Sequence, residues 1–361
     1  MKLKFGTTVL TVVFVSSKIF LEHLKIRSMK DLYLGIDLGG SGMRSAVYDN
    51  GGNLEFQLED INFNSEISNG ALFVEVGFAI ENARRLSAKR GLGLLLAWGL
   101  ASPGPLDPFN GVIETPPNLK VRNFAVVKEL ESSFPDVKGF LLNDADAALL
   151  AECRFGGARD FNNVVGVFAG TGLGTSVVSQ GRLKRGQGKG GGWGHTSMYG
   201  FGQKRKCVCG RINCIETFIG TLGLAQTYCQ IFKKDYNNLS REEIFNISIK
   251  VRDELRNKTG YYDAYKSVVG AYALHFLEAL KNIICVHNPE CIILGGGVIK
   301  NNRFLVSLLN RRVRLIDDDT KPLFENVVIK LQECENPGTL GAACYAMDGI
   351  NRYRLDHGIY L

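Results

Sequence analysis

No Gly-x₄-Gly-Lys-Ser/Thr loop occurs anywhere in the 361 residues, which disfavours a P-loop nucleotidase. No long run of like charge appears either, since the basic residues behind the net charge of +7 are scattered along the chain. A solvated surface that suits anionic small molecules follows from that scatter, ahead of nucleic-acid binding. The nine cysteines form no regular disulfide framework, and their odd number fits a reducing cytosol better than a secreted scaffold. The N-terminal apolar run, Val9 to Val15 behind Lys2 and Lys4, is too short to span a bilayer. Lys18 interrupts soon after it and no small-x-small cleavage site is evident, which argues against a signal peptide. Residues 1–28 are therefore expected to be an extension outside the fold, with the natural start at Met29. A cytoplasmic protein with no membrane partner is the expectation.

What is present is ordinary for a globular chain: 45% apolar residues, 22% charged, and enough length for two domains with substantial cores. The unusual stretch runs from Gly190-Gly191-Gly192-Trp193-Gly194-His195 to Cys207-Val208-Cys209-Gly210-Arg211-Ile212-Asn213-Cys214-Ile215-Glu216. His195, Cys207, Cys209 and Cys214 make a Cys₃His set suited to a tetrahedral, structural zinc. Free cysteines are often plain core residues. Here the neighbouring Lys204, Arg205, Lys206 and Arg211 argue against an apolar core. Glu216, two residues past the last thiol, would be held in place by a metal, so that His195 and Glu216 could together face a polar ligand.

Elsewhere the pattern is that of an α/β chain. Tyr33 to Leu38 reads as a buried strand ending in the turn Gly39-Gly40-Ser41. Met43–Tyr48 and Leu54–Leu58 follow as strands around the hairpin signal Asp49-Asn50-Gly51-Gly52. Residues 69–90 are helical, with Leu72, Val76, Phe78, Ile80, Ala83 and Leu86 on the apolar face. Gly93–Leu100 is a central strand that runs into Ser102-Pro103-Gly104-Pro105, and ligand loops in open α/β sheets sit at such edges. Thr115-Pro116-Pro117-Asn118 is a further loop. Strand 140–142 ends in Asn143-Asp144, before a helix from Ala147 to Cys153. Either residue could cap that helix, and Asp144 could equally serve as a general base at a cleft.

The strand 163–168 leads to a second glycine-threonine turn, Gly170-Thr171-Gly172, before another strand. Two such turns in one chain are far more telling than one. Later come a capped helix at 238–243, an amphipathic helix at 267–286 stopped by Asn288-Pro289, the turn Gly295-Gly296-Gly297, and a last helix rich in small residues around Gly341-Ala342-Ala343.

These motifs, in this order over residues 32–348, resemble those of the ROK family of sugar kinases and repressors. The family pattern is Glu-x-Gly-His and, after a spacer, Cys-x-Cys-Gly-x-x-Gly-Cys-x-Glu. The two glycine turns resemble the two phosphate loops of the sugar kinase, Hsp70 and actin superfamily. The resemblance implies a two-domain, actin-like ATPase fold of the ribonuclease-H-like type, with a nucleotide and sugar cleft between the domains. The smaller domain would be 29–144 plus 336–361 and the larger 145–335. ATP would phosphorylate a hexose or N-acetylhexosamine, most often at C6, with Asp144 deprotonating the hydroxyl. Asn118, Asn143, Asp144, His195 and Glu216 would hold the sugar. Asp37 would help order Mg²⁺, Gly39, Gly40, Ser41, Gly170, Thr171 and Gly172 would cradle phosphates, and Gly296 and Gly297 would approach the nucleotide. A structural Zn²⁺ and a homodimer or homotetramer are further implications.

Four positions depart from the family pattern. Asn213 replaces the last motif glycine, a mild change because Asn tolerates left-handed backbone. Gly192 stands where the family has its first Glu, which touches sugar binding. Gly42 replaces a common Lys, and Gly220 a frequent Ser. ROK repressors share the metal motif but carry a winged helix-turn-helix, for which the residues ahead of Tyr33 are too few. A non-catalytic sugar sensor is the remaining alternative, if Gly192 abolishes turnover.

Overall fold

Two sheets of the same design carry the chain. The computed structural model describes residues 30–356 except 64–66, 190–191, 200–201, 203, 259 and 317–320. The expected N-terminal extension and the pair Gly190-Gly191 lie outside the described residues. In the first sheet β1 (Lys30–Leu38), β2 (Gly42–Asp49) and β3 (Leu54–Gln57) form an antiparallel meander, with β4 (Ile61–Asn62) also on β2. Helix α1 (Asn69–Lys89) then crosses over to β5 (Gly93–Ser102), which lies parallel to β1. A small hairpin of β6 (Leu106–Asp107) and β7 (Val112–Ile113) precedes α2 (Val126–Ser133), and β8 (Lys138–Asn143) completes the order β3-β2-β1-β5-β8.

Helix α3 (Asp144–Phe155) leads into the second sheet, where the plan repeats. There β9 (Val164–Ala169), β10 (Leu173–Ser179) and β11 (Arg182–Leu183) form the meander. Helices α4 (Glu216–Ile219), α5 (Thr221–Ile231), α6 (Arg241–Asn257) and α7 (Tyr262–His287) intervene before β12 (Cys291–Gly295), parallel to β9. Then α8 (Gly297–Asn301), α9 (Phe304–Arg314) and α10 (Lys321–Phe324) lead to β13 (Val328–Leu331), giving β11-β10-β9-β12-β13. Parallel neighbours cannot be joined by a tight turn, so each sheet takes helical crossovers on its parallel side.

The local chemistry accounts for the elements. Leu32, Tyr33, Leu34 and Ile36 of β1 are fully buried, as expected for a central strand covered on both faces. Ser240 and Glu243 close a capping box at the start of α6. Helix α7 is long and apolar enough to cross a bilayer, but Val268, Tyr272, Phe276 and Leu280 pack into the core of the second lobe. Asn288, in the left-handed region at φ 41°, ends it. One expectation fails: Phe78 of α1 is 61% exposed, because the inward stripe runs Leu72, Val76, Ala79, Ile80 and Ala83.

The last helix, α11 (Pro337–Asp356), packs on β1, β5 and α3. Three glycines make this possible. A Cβ at Gly341 would collide with the carbonyl of Ala147, one at Gly35 with that of Thr339, and one at Gly99 with that of Ala342. Glu152, fully buried on α3, reinforces the junction by accepting from the backbone N–H groups of Glu333 (2.9 Å) and Cys334 (2.7 Å). Backbone rests on backbone here, so no side chain can yield to a newcomer. Gly341→Ala should lower stability by about 1–3 kcal/mol, whereas Gly270→Ala in α7, with open space around its Cβ, should be neutral or stabilising by up to ~1 kcal/mol. Calorimetric melting of the two variants checks this; equal Tm values would deny the close crossing.

Candidate functional site

The first glycine turn joins β1 to β2, closed by a hydrogen bond from Gly39 N to Gly42 O at 2.8 Å. A Cβ on Gly40 would lie 3.3 Å from Cβ of Asn118, so that loop rests directly on the turn. Asp37, at the end of β1, is half-buried under Gly338 at the start of α11. Burial raises its carboxyl above the usual range, against the lowering influence of Arg44. Gly42 has a packing reason: any Cβ there would press on the carbonyl oxygen of Ile61 at 2.5 Å, so the lysine of the family pattern has no room.

Strand β8 ends at the same edge of the sheet, with β5 between it and β1. Asn143 is the N-cap of α3 and accepts from Ala145 N at 3.0 Å, so the capping role belongs to Asn143. Asp144 follows in the first turn, its Oδ1 accepting from the same N–H at 2.8 Å. Asp144 is exposed at the surface, although the protein atoms crowded about its carboxyl desolvate it. That desolvation, with help from Asp37 and Asp146 and opposed by the Ala145 N–H, pushes its carboxyl up to about 6. The cis peptide Gly104-Pro105 lies in the adjoining loop, and Asn143 Nδ2 reaches the carbonyl of Ser102 at 3.5 Å.

The second glycine turn joins β9 to β10 and is held from behind. Thr221 donates to Gly170 O twice, from its backbone N–H and its hydroxyl, each at 2.8 Å. A Cβ on Gly220 would fall 2.7 Å from Gly172 O and 2.8 Å from Thr171 O, which is why the usual serine cannot stand there. Gly172 in turn abuts Glu216: its Cβ would be 2.8 Å from Oε2. Gly296, at φ 85°, packs on the backbone of Ala169 at the foot of this turn.

His195 ends a short 3₁₀ turn, Trp193–His195, anchored by Trp193 N to Thr175 Oγ1 at 3.0 Å and by Trp193 Nε1 to His287 Nε2 at 2.7 Å. The donor atoms of His195, Cys207, Cys209 and Cys214 all lie within 4.8 Å of one another. Sγ of Cys209 is 3.6 Å from Sγ of Cys214, and Sγ of Cys207 is 3.6 Å from Nδ1 of His195. Tetrahedral zinc with Zn–S bonds of about 2.3 Å requires sulphurs roughly 3.8 Å apart, so the donor set fits such an ion. Burial raises the Cys209 thiol, but hydrogen bonds from Arg211 outweigh this and bring it down to about 6, favouring thiolate. Glu216 Oε1 sits 2.7 Å from Cys207 Sγ and 3.5 Å from His195 Nδ1, so Glu216 touches both the Cys₃His cluster and the second glycine turn.

Asn213 takes φ 59°, the left-handed backbone expected of it. The reading of the nearby charges needs correction. Arg205 is 97% buried, since it is 3% exposed, and donates to Thr217 O, Gly223 O and Thr227 Oγ1 while covering the Phe218 ring at 4.5 Å. Its guanidinium ties the cysteine loop to α4 and α5. Burial lowers its pKa to about 10, still charged at neutral pH.

The structure thus places Asp37, Gly39, Gly40, Ser41 and Asn118 at the first turn, with Asn143 and Asp144 at the end of β8, two strands over in the same sheet. Gly170, Thr171, Gly172, His195 and Glu216 gather around the second. Gly174 links the groups, its Cβ position lying 3.3 Å from that of Ala145. Gly296 reaches only the foot of the second turn, and the space around a Cβ at Gly297 is open. Thr221, Thr175 and Arg205 escaped sequence reasoning because their partners lie up to 51 residues away; only the position of Thr221 just past Glu216 hinted at a role.

Comparison with known proteins bears on the family and the fold. Residues 33–348 match the ROK family. The DNA-binding transcriptional dual regulator NagC of Escherichia coli is 27% identical over 258 residues, 71% of this chain and 61% of the regulator. The chain thus spans about three fifths of that relative's length. A glucokinase of Thermotoga maritima is 28% identical over 257 residues, 70% of this chain and 79% of the enzyme. A ROK family glucokinase from Streptomyces griseus, solved with glucose and AMPPNP, superposes with a TM-score of 0.69 at 20% identity, covering 88% of this chain and 100% of that one. The likeness shows the fold to be the two-domain, actin-like α/β architecture. With the family matched over most of its length, this chain belongs to the ROK family.

Proposed function

We propose that this protein is an ATP-dependent sugar kinase that phosphorylates a hexose or N-acetylhexosamine, most often at C6. The observation that carries the reading is Asp144: a carboxylate at a strand's end, raised to about 6, between the two glycine turns. A base of that pKa is ionised at neutral pH yet basic enough to take a hydroxyl proton. Asn118, Asn143, His195 and Glu216 would hold the remaining hydroxyls, with the backbone N–H groups of Gly40, Ser41, Thr171 and Gly172 on the phosphates. Magnesium bound near Asp37 would supply charge neutralisation on the transferring phosphoryl group. Excluding water from the cleft matters because water competes as nucleophile. The division we favour is 29–144 plus 336–361 against 145–335, in a cytoplasmic enzyme. The identity to NagC favours a second reading, a sugar-responsive regulator. ADP release against a panel of hexoses and N-acetylhexosamines separates the two: no turnover, with DNA binding, would establish the regulator.

Asp144→Asn should abolish turnover while leaving nucleotide affinity nearly intact, because the amide keeps the shape but cannot accept the proton. In the wild type, kcat/KM should rise with pH through a midpoint near 6 as the carboxyl ionises. An Asp144→Asn enzyme within about tenfold of wild type would reject Asp144 as the base.

We assign one structural zinc to His195, Cys207, Cys209 and Cys214. Metal analysis should find near one equivalent, and Cys209→Ser should lose both the metal and sugar binding. A wild type that is zinc-free and fully active rejects the assignment.

Gly192 lacks the family's sugar-binding carboxylate, and a hydrogen bond to a charged group contributes about 1.5–3 kcal/mol. Glucose activity should therefore be poor beside another hexose or amino sugar. Its φ of −72° suits any residue and its Cβ position is open, so Gly192→Glu can be made without strain. That variant should shift preference toward glucose by about ten- to a hundredfold. Micromolar glucose KM in the wild type counts against altered specificity.

A further inference from the structure

The segment after β11 reaches across to the other lobe, and its contacts serve neither the base nor the metal cluster. Arg185 donates from Nη1 to the hydroxyl of Tyr345 on α11 at 3.0 Å. Its guanidinium carbon lies 5.0 Å from the centre of that ring and 5.4 Å from the ring of Phe109, in the β6–β7 hairpin. The same charge faces Asp146 of α3, whose carboxylate accepts from Ser176 Oγ on β10 at 2.5 Å. Three residues on, a Cβ at Gly188 (φ 101°) would stand 2.8 Å from Pro108 Cδ. Lys189 then pairs with Glu114, its Nζ 2.6 Å from Oε1. Within five residues the chain makes three separate attachments to the first lobe, through Arg185, Gly188 and Lys189. This run leads directly toward Gly192 and His195, while Glu114 begins the loop that carries Asn118.

We propose that residues 185–189 form an interlobe clasp in which Arg185 is the central positioning residue, holding the His195 segment of one lobe against the Asn118 loop of the other and so setting affinity for sugar. The inference rests on the sugar-kinase reading for its kinetic consequence, though not for the clasp itself. Separating the lobes at this edge must break the Arg185, Gly188 and Lys189 contacts together. A sugar that needs both walls binds only the clasped population, so its apparent affinity scales with that fraction. The Lys189–Glu114 pair is partly exposed and carries little alone. The Arg185 cluster is the larger element, because a guanidinium stacks and donates at once where an ammonium could not.

Two variants test this. Arg185→Ala removes the centre of the clasp, and Phe109→Ala removes an exposed ring whose loss leaves the cores intact. Each should raise the KM of the best substrate among glucose, N-acetylglucosamine and N-acetylmannosamine by about two- to fivefold, with kcat held. Amide hydrogen exchange should quicken in residues 106–113 and 184–189 and nowhere else. A loss of protection spread through both sheets, or a fall in kcat matching the rise in KM, would mark a merely structural role and overturn the proposal. Wild-type KM in Phe109→Ala with unchanged exchange would overturn it too, even if Arg185→Ala fails to fold. Should no sugar in the panel be phosphorylated by the wild type, the kinase reading fails by itself. The exchange measurement then decides on its own whether the segment ties the lobes together.

Discussion

The architecture depends on one contact, the seating of α11 on bare backbone. Gly35 and Gly99 strip two neighbouring strands of side chains under it, and Gly341 strips the helix itself where it crosses α3. Asp37 lies under the first turn of α11, and Asp144 opens α3. The two carboxylates therefore owe their proximity to a helix crossing that tolerates no Cβ. Their mutual repulsion, added to desolvation, is part of what raises Asp144. Packing and reactivity are here the same fact.

Much of this was legible beforehand because it is local. The strand at Tyr33–Leu38, the hairpin at Asp49, the capping box of α6 and the stop at Asn288 are each specified by a few adjacent residues. The Cys₃His cluster was legible for the same reason, since its four side chains fall within a single stretch between β11 and α4. The left-handed Asn213 shows how far one residue's conformational tolerance can be read. What escaped was whatever depends on distant partners. Phe78 fits a helical stripe by spacing alone, but the centre of the buried face depends on the sheet beneath. Arg205 looked like surface charge until three carbonyl and hydroxyl acceptors from α4 and α5 were found around it.

Departures from the family pattern also acquire physical reasons once neighbours are known. Gly42 and Gly220 stand where backbone oxygens press against any side chain, so both are packing requirements of this chain. Gly192 is the opposite case, an open position with an unstrained backbone. Of these three absences, only the one at Gly192 leaves space that a ligand could use.

The placement of α11 also governs the order in which the molecule can be made. The helix that covers β1 comes some three hundred residues after it in the chain. The second sheet has all its strands, and α4 to α9 around them, before that helix is synthesised. The first sheet is thus completed after the second, and until α11 forms, the surface at Gly35 and Gly99 stays open to water and to chaperones.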